Sequence, residues 1–223
     1  MKVSEAIATR KSIRAFRPDP VSAETIAEIL TLSARAASGG NLQPWKVYAL
    51  IGNSRDELVR RVKAKRAETP MGESPEYLIY PPELVEPYRT RRFRVGEMMY
   101  ATMRIPREDK PARLAFFAGN WDFFGAPAGL IFTMDRAMQQ GQWCDLGIFM
   151  GNIMLLARER GLHTCPQEAW AVWHGVIRDY LAVPQNEMIF CGMAIGYADD
   201  VAVNSLVSER APLEEFATIR EVA

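Results

Sequence analysis

Between Gly141 and Arg160 the chain carries Leu146, Ile148, Phe149, Met150, Ile153, Met154, Leu155, Leu156 and Ala157, apolar nearly all the way round a helix. Such a helix cannot lie on a surface with one polar face to water. It must be either the central helix of a core or part of a subunit interface, and the rest of the chain has to wrap it. Gly161 closes it.

The material that wraps it reads as a few strands scattered among helices. Lys46–Ile51, Ala128–Thr133 and Met188–Tyr197 have the β-branched and aromatic content of buried strands, and Leu162–Cys165 is a shorter one. Ser4 reads as the cap of a short helix ending at Thr9, with Glu5 in its first turn. Ser22 opens a second helix, Ala23 to about Ala36, with Ile26, Ile29, Leu30 and Leu32 at helical spacing. A further amphipathic helix follows Glu168 and runs to about Leu181. Helices mixed with non-sequential strands predict an α+β layer fold. With 223 residues, no repeat and no linker-like boundary, one domain or a small pair is expected.

Residues 53–113 read as the least regular part, an excursion from the core that would form a mobile cover. They hold a charge-dense run at Arg60–Arg66, prolines between Pro70 and Pro87, and Met98, Met99 and Met103, which give an adaptable apolar surface.

Three short stretches carry chemistry. In Arg10-Lys11-Ser12-Ile13-Arg14-Ala15-Phe16, three cations and a hydroxyl occupy five positions, a grouping suited to the doubly charged end of a phosphomonoester or else a solvated basic turn. In Ser38-Gly39-Gly40-Asn41-Leu42-Gln43-Pro44-Trp45, two glycines let the backbone approach a flat ligand, and Pro44 is expected to hold Gln43 extended. The amides of Asn41 and Gln43 offer donors and acceptors to a heteroaromatic edge; an ordinary helix-loop-strand junction is the other reading. In Pro166-Gln167-Glu168-Ala169-Trp170, Glu168 lies near a helix start, where backbone N–H groups have no partner.

Charge excludes more than it suggests. The 27 basic residues balance 27 acidic ones, so nucleic acid is not an expected partner. No apolar leader and no run of about 18 apolar residues is present, which predicts a soluble, cytoplasmic protein without a membrane partner. Cys144, Cys165 and Cys191 are odd in number and read as reduced core thiols. His163 and His174 lack companions at metal-ligand spacing, so no metal is expected.

The basic heptapeptide, Ser38 to Trp45, Cys165-Pro166-Gln167-Glu168 and Glu209-Arg210-Ala211-Pro212-Leu213 together resemble the FMN-dependent nitroreductase family, in that order and over nearly the whole chain. Asn120 to Pro127 and Gly141 to Gly147 resemble its branch of nitroaromatic and nitrobenzoate reductases. The resemblance implies a three-layer α+β fold with a mixed, mainly antiparallel sheet, in an intertwined homodimer with two FMN sites at the interface. It also implies a C-terminal tail, about 200–223, that embraces the partner. By similarity Arg10, Ser12 and Arg210 hold the FMN phosphate, with Lys11 and Arg14 alongside. Ser38, Gly39 and Asn41 reach the flavin of the other subunit, Gln43 is a further cofactor-binding candidate, and Pro166, Gln167, Glu168 and Ala169 line the ring, with the N–H near Glu168 directed at its N5. Gln142, Asn120 and Tyr88 are candidates to face a substrate.

The implied activity is two-electron reduction of nitroaromatics by NADH or NADPH through bound FMN, in a ping-pong cycle. Ala169 stands where many relatives have glycine, leaving less room above the ring. Ser208 stands where some have a second basic residue, so the phosphate site leans on Arg10 and Arg210. Two other readings stay open: reductive deiodination or dehalogenation of a phenol, with Glu86, Tyr88 and Arg89 clasping a zwitterion, and flavin binding without dedicated turnover.

Overall fold

A computed structural model describes residues 1–221. The elements run α1 (Val3–Thr9), α2 (Ala23–Ser33), β1 (Lys46–Ile51), α3 (Asn53–Arg66), α4 (Tyr88–Thr102), α5 (Lys110–Ala118), β2 (Ala128–Asp135), α6 (Gln140–Glu159), β3 (His163–Gln167), α7 (His174–Leu181) and β4 (Glu187–Gly196), with short 3-10 turns between. The strands form one four-stranded sheet in the order β1-β2-β4-β3, each neighbour antiparallel. The parallel component is a single bridge between Ser12 and Thr164, which lays the N-terminal segment along β3.

Both faces of the sheet are covered, giving three layers. On one, Leu146, Phe149 and Ile153 of α6 and Ile26 and Ile29 of α2 pack on Leu130, Phe132, Met193 and Ile195. On the other, Leu58 and Val62 of α3, Ile177 of α7 and the aromatic residues Phe123, Trp170 and Trp173 pack on Ile131, Ile189 and Ala194. The long apolar helix α6 is therefore a core helix along one side. Its opposite side, with Cys144, Gly147 and Ile148, is exposed. This corrects the expectation for Cys144, which is an exposed free thiol, while Cys165 and Cys191 are buried.

Two glycines shape the second face. A Cβ on Gly129 would run into the ring of Phe123, and one on Gly192 into the indole of Trp170. Their absence leaves a flat patch on β2 and β4 against which these two rings stack, centroids 4.3 Å apart. Because Trp170 is fully buried, Gly192→Ala is expected to overpack the core and lower stability by about 1–3 kcal/mol, read as an earlier midpoint in urea.

Several boundaries differ from expectation for local reasons. Lys2, not Ser4, caps α1, since the Glu5 carboxylate reaches back to accept the Lys2 N–H at 3.4 Å. Ser22 caps α2 as expected, its hydroxyl accepting from the Thr25 N–H at 3.0 Å. That helix stops at Ser33, where Arg35 and Ala36 turn to bonds three residues back, on Leu32 and Ser33. The chain after β3 forms a 3-10 turn, Glu168–Trp173, before α7 begins. Residues 53–113 are more regular than expected, with three helices, and irregular backbone is concentrated between α3 and α4. No described helix is long and apolar enough to cross a membrane.

Candidate functional site

The basic heptapeptide leaves α1 in extended conformation, and the Ile13 N–H donates to the Thr164 carbonyl at 3.1 Å. Ile13 is buried beneath it, so the segment is anchored through its apolar residue and its polar ones fan out. They part company. The Lys11 ammonium donates to the Asn204 carbonyl at 2.7 Å, and the Arg14 guanidinium folds back on the Ser12 carbonyl at 3.3 Å. Arg10 instead lies within electrostatic reach of Arg210, from the far end of the chain. Burial first, and then the Arg210 guanidinium, push Arg10 below the ordinary arginine value, with Cys165 acting in the opposite sense.

Neither Arg10 nor Arg210 has a carboxylate partner among the described residues. Among the described residues the Arg210 guanidinium bonds only to Ser208 and the Glu209 carbonyl. Two guanidiniums without carboxylate partners that feel each other's charge repel, and an anion with several acceptor oxygens bound near both relieves that repulsion. A phosphate therefore fits the donor set. The helix α4 approaches the same tail, its Arg94 pairing with Glu209 at 2.7 Å and its Arg91 with Glu215.

Beside this cluster β3 ends. Gln167 turns inward and is 1% exposed; its Nε2 donates to the Asn120 carbonyl at 2.9 Å and lies 3.4 Å from Asn120 Oδ1, while its Oε1 is buried without a partner among the described residues. Glu168 opens the 3-10 turn. Although its surface is accessible, protein atoms crowd its carboxyl, and that burial raises its pKa above the ordinary value. The Ala169 carbonyl accepts from the Trp121 indole N–H at 2.8 Å. Asn120 is thus committed to holding Gln167 and, through Nδ2, to the Phe117 carbonyl at 2.8 Å. Tyr77 lies close by, donating to the Phe190 carbonyl at 2.6 Å and stacking on that ring at 5.3 Å, with Trp143 edge-on to it at 5.4 Å.

The Ser38–Gln43 loop stands elsewhere, on the start of α6. Gly39 N–H donates to Asp145 Oδ2 at 3.2 Å, and Gln43 N–H to Ser38 Oγ at 3.1 Å. Gln43 is not extended as Pro44 suggested: its φ is 49°, beside 58° at Asn41 and 56° at Gly40. The bond to Ser38 and a second one from Gln43 Nε2 to the Asn41 carbonyl at 3.4 Å curl the loop back on itself. Asn41 is exposed. Gln142 lies beside Gly39, and its Oε1 accepts from the Gln139 N–H at 3.3 Å, a helix-start role. Tyr88 is 58% exposed at the start of α4. Glu86 and Arg89 pair with each other at 2.8 Å, so the charges proposed to clasp a zwitterion are already satisfied.

The nitroreductase family profile matches residues 7–197. The chain belongs to the nitroreductase family. It is 38% identical over 211 residues to a 4-nitrobenzoate reductase of Pseudomonas putida, covering 94% of this chain and 92% of the relative. It is also 38% identical over 218 residues to a nitrobenzene nitroreductase of Ectopseudomonas oleovorans, covering 97% and 96%. Among solved structures, the FMN and NADPH-dependent nitroreductase NfnB from Sphigopyxis sp. strain HMH superposes with a TM-score of 0.96 at 39% identity, each chain fully covered.

For a nitroreductase fold of this kind, the residue that sequence reasoning missed most plainly is Asn204. Buried at 8% exposure, it accepts the Arg14 N–H on Oδ1 at 2.8 Å, and its Nδ2 donates to the carbonyls of Ala15 and Asp199 at 2.8 and 2.9 Å. It fastens the basic segment, and nothing local in its neighbourhood marks it. His163 sits on the same side. Burial, then Arg158 and Lys11, push its pKa from 6.5 to about 4, and it lies 2.9 Å from Arg158 Nη1. The fold keeps it neutral, whereas the unfolded chain takes up a proton near 6.5, so acid favours unfolding from about pH 6.5 down to 4. The thermal midpoint is expected to fall over that window, and less steeply in His163→Gln.

Proposed function

We propose that this chain is an NAD(P)H-dependent FMN oxidoreductase that reduces nitroaromatic compounds. The observation that carries the reading is that Arg10 and Arg210, from opposite ends of the chain, lie within electrostatic reach of each other with no carboxylate partner among the described residues, in a chain that resembles nitrobenzoate and nitrobenzene reductases. When bound, FMN supplies the chemistry, accepting a hydride from NADH or NADPH and passing two electrons to the nitro compound.

The residues of the chain bind, orient and shield. Arg10 and Arg210 hold the phosphate, with the Ser12 hydroxyl beside them and Arg14 and Lys11 adding positive charge at the rim. Pro166, Glu168 and Ala169 present a wall to the ring, with the Glu168 N–H as donor, while Gln167 supports that wall from behind. Residues 53–113 act as a cover, and Tyr88 stands on the cover's outer helix.

The same reading assigns Ser38, Gly39 and Asn41 to the site of a second subunit, with Gln43 in the same loop. Support comes from the large apolar side chains left in water. Val3 and Ile7 on α1 are 71% and 59% exposed, Ile148 on α6 41%, and Phe216 in the tail 70%. Exposed apolar area of this extent, continuing the bare side of α6, fits burial against a second copy. The tail, about 200–223, serves that contact, its residues 222–223 lying outside the described ones.

The test is anaerobic. NADH or NADPH should bleach the bound FMN, and a nitrobenzoate should restore the oxidised spectrum within a turnover. A protein that neither retains FMN nor is activated by it sinks the proposal. Rapid reoxidation by a halotyrosine, with none by the nitroarene, would transfer the assignment to dehalogenation.

A further inference from the structure

The wall segment is held from both ends by one neighbouring loop. On one side of Glu168, the Gln167 side chain is fixed to Asn120; on the other, the Ala169 carbonyl is fixed to the Trp121 indole. Glu168 itself opens a 3-10 turn, where a backbone N–H has no partner within the turn and its direction is set by the peptides flanking it. The geometry points to Asn120 and Trp121 as a pair of positioning residues that aim the Glu168 N–H at the flavin. This rests on the FMN reading above and goes beyond it by naming what fixes the donor.

The loop is built to stay put. Trp121, 4% exposed, meets Phe117 and Trp173 edge-on at 5.4 and 5.5 Å, and the Arg66 guanidinium lies 4.9 Å from its ring centre. Next in the chain come three left-handed residues, Phe123, Phe124 and Gly125, with φ of 49°, 52° and 78°. Non-glycine residues adopt that region at a conformational cost and keep it only where the surroundings impose it. Arg55 of α3 ties down the residue just before them, donating to Asp122 Oδ1 at 2.6 Å and to the Asp122 carbonyl, and Phe123 and Phe124 are themselves buried. Such a loop is a rigid bracket, and it touches Gln167 and Ala169 through directional bonds that packing alone does not need.

Two variants of the full chain test the bracket. Trp121→Phe keeps most of the aromatic packing and loses the N–H; Gln167→Met keeps the length and loses the amide. Each is read by the FMN Kd, the thermal midpoint, the visible spectrum and the midpoint potential of bound FMN. The expected result is near-normal FMN affinity with a shifted flavin spectrum and about a tenfold change in the equilibrium constant for reduction, which is about 30 mV for a two-electron couple. A purely structural role would move the thermal midpoint and leave potential and spectrum alone. Should Trp121→Phe fail to fold, Gln167→Met decides. A variant that binds FMN with unmoved potential and spectrum overturns the bracket alone, whereas a wild-type protein that takes up no FMN overturns the FMN reading with it.

Discussion

Arg10→Ala and Arg210→Ala are each expected to weaken FMN binding by roughly ten- to a hundredfold, since a hydrogen bond to a charged group is worth about 1.5–3 kcal/mol and 1.4 kcal/mol is tenfold in Kd. The sign of the companion effect makes the prediction specific. In the free protein burial first and then the Arg210 guanidinium lower Arg10, so removing Arg210 relieves part of an unfavourable charge environment. FMN-free Arg210→Ala should be no less stable than wild type while its FMN titration moves to higher concentration. Loss of affinity accompanied by an equal loss of stability would mean that the variant is damaged, and unchanged titrations for both variants would mean the phosphate is held elsewhere. Salt should weaken wild-type binding more than binding by either variant, because fewer charges remain to be screened.

Glu76→Ala is expected to lower stability by about 3–5 kcal/mol, the usual result of stripping one partner from a buried ion pair. The Glu76 carboxylate, its side chain 10% exposed, pairs with Arg178, itself 11% exposed, at 3.2 Å and also with Arg136. It further accepts the Ile189 N–H at 2.9 Å, close to the irregularity in the β2–β4 pairing. With alanine there, the Arg178 charge keeps only carbonyl partners such as Pro184 and Glu187. For a chain of this size the thermal midpoint should drop by roughly 6–20 °C. Burial alone would raise the Glu76 carboxyl, but Arg136, the Ile189 N–H and His174 carry it below 4.5. A depressed carboxylate stabilises the fold above its unfolded pKa and ceases to do so as pH falls through its folded one, so the gap between wild type and Glu76→Ala should close in acid. By contrast, the solvated Lys65–Glu68 pair, with side chains 41% and 69% exposed, should be silent to mutation. An unchanged Glu76→Ala midpoint would show that Arg178 finds another counter-charge.

Glu76 also shows what a sequence hides. The strands were legible because each needs its own apolar run: β1 has the bounds its β-branched and aromatic residues suggest, and α6 its nine apolar positions. Helix α3 was masked because only Leu58, Val59 and Val62 reach the core through a charged sequence. Helix α4 buries nothing and so has no period to read. The start of α5 carries a readable signal, Asp109 capping at 3.0 Å with proline in the first turn, inside a stretch whose charge and proline content otherwise suggest irregular backbone. For the proposed site, the resemblance singles out Arg10 and Arg210, since charge and order along the chain carry them. The pairing of Gln167 with Asn120 was not legible, because 47 residues separate them and only the folded sheet edge brings them together. Gln43 was misread because the proline rule is local and the loop's own hydrogen bonds outweighed it.

The strand order has a genetic consequence. The Ser38–Gln43 loop enters β1, and Pro166–Ala169 leave β3; the paired residues Lys46↔Thr133, Ile131↔Gly192 and Gln167↔Gly192 put both at one end of the sheet. The strands that carry them, β1 and β3, are the two edges of the sheet, three strand spacings or about 14 Å apart laterally. Under the proposed assignment each flavin draws its phosphate clamp from one chain and its Asn41 from the other. Two variants inactive alone, one defective at Arg10 and one at Asn41, should then complement on mixing. Every hybrid pair holds one intact site and one doubly broken site, so random exchange of subunits restores about one quarter of the sites.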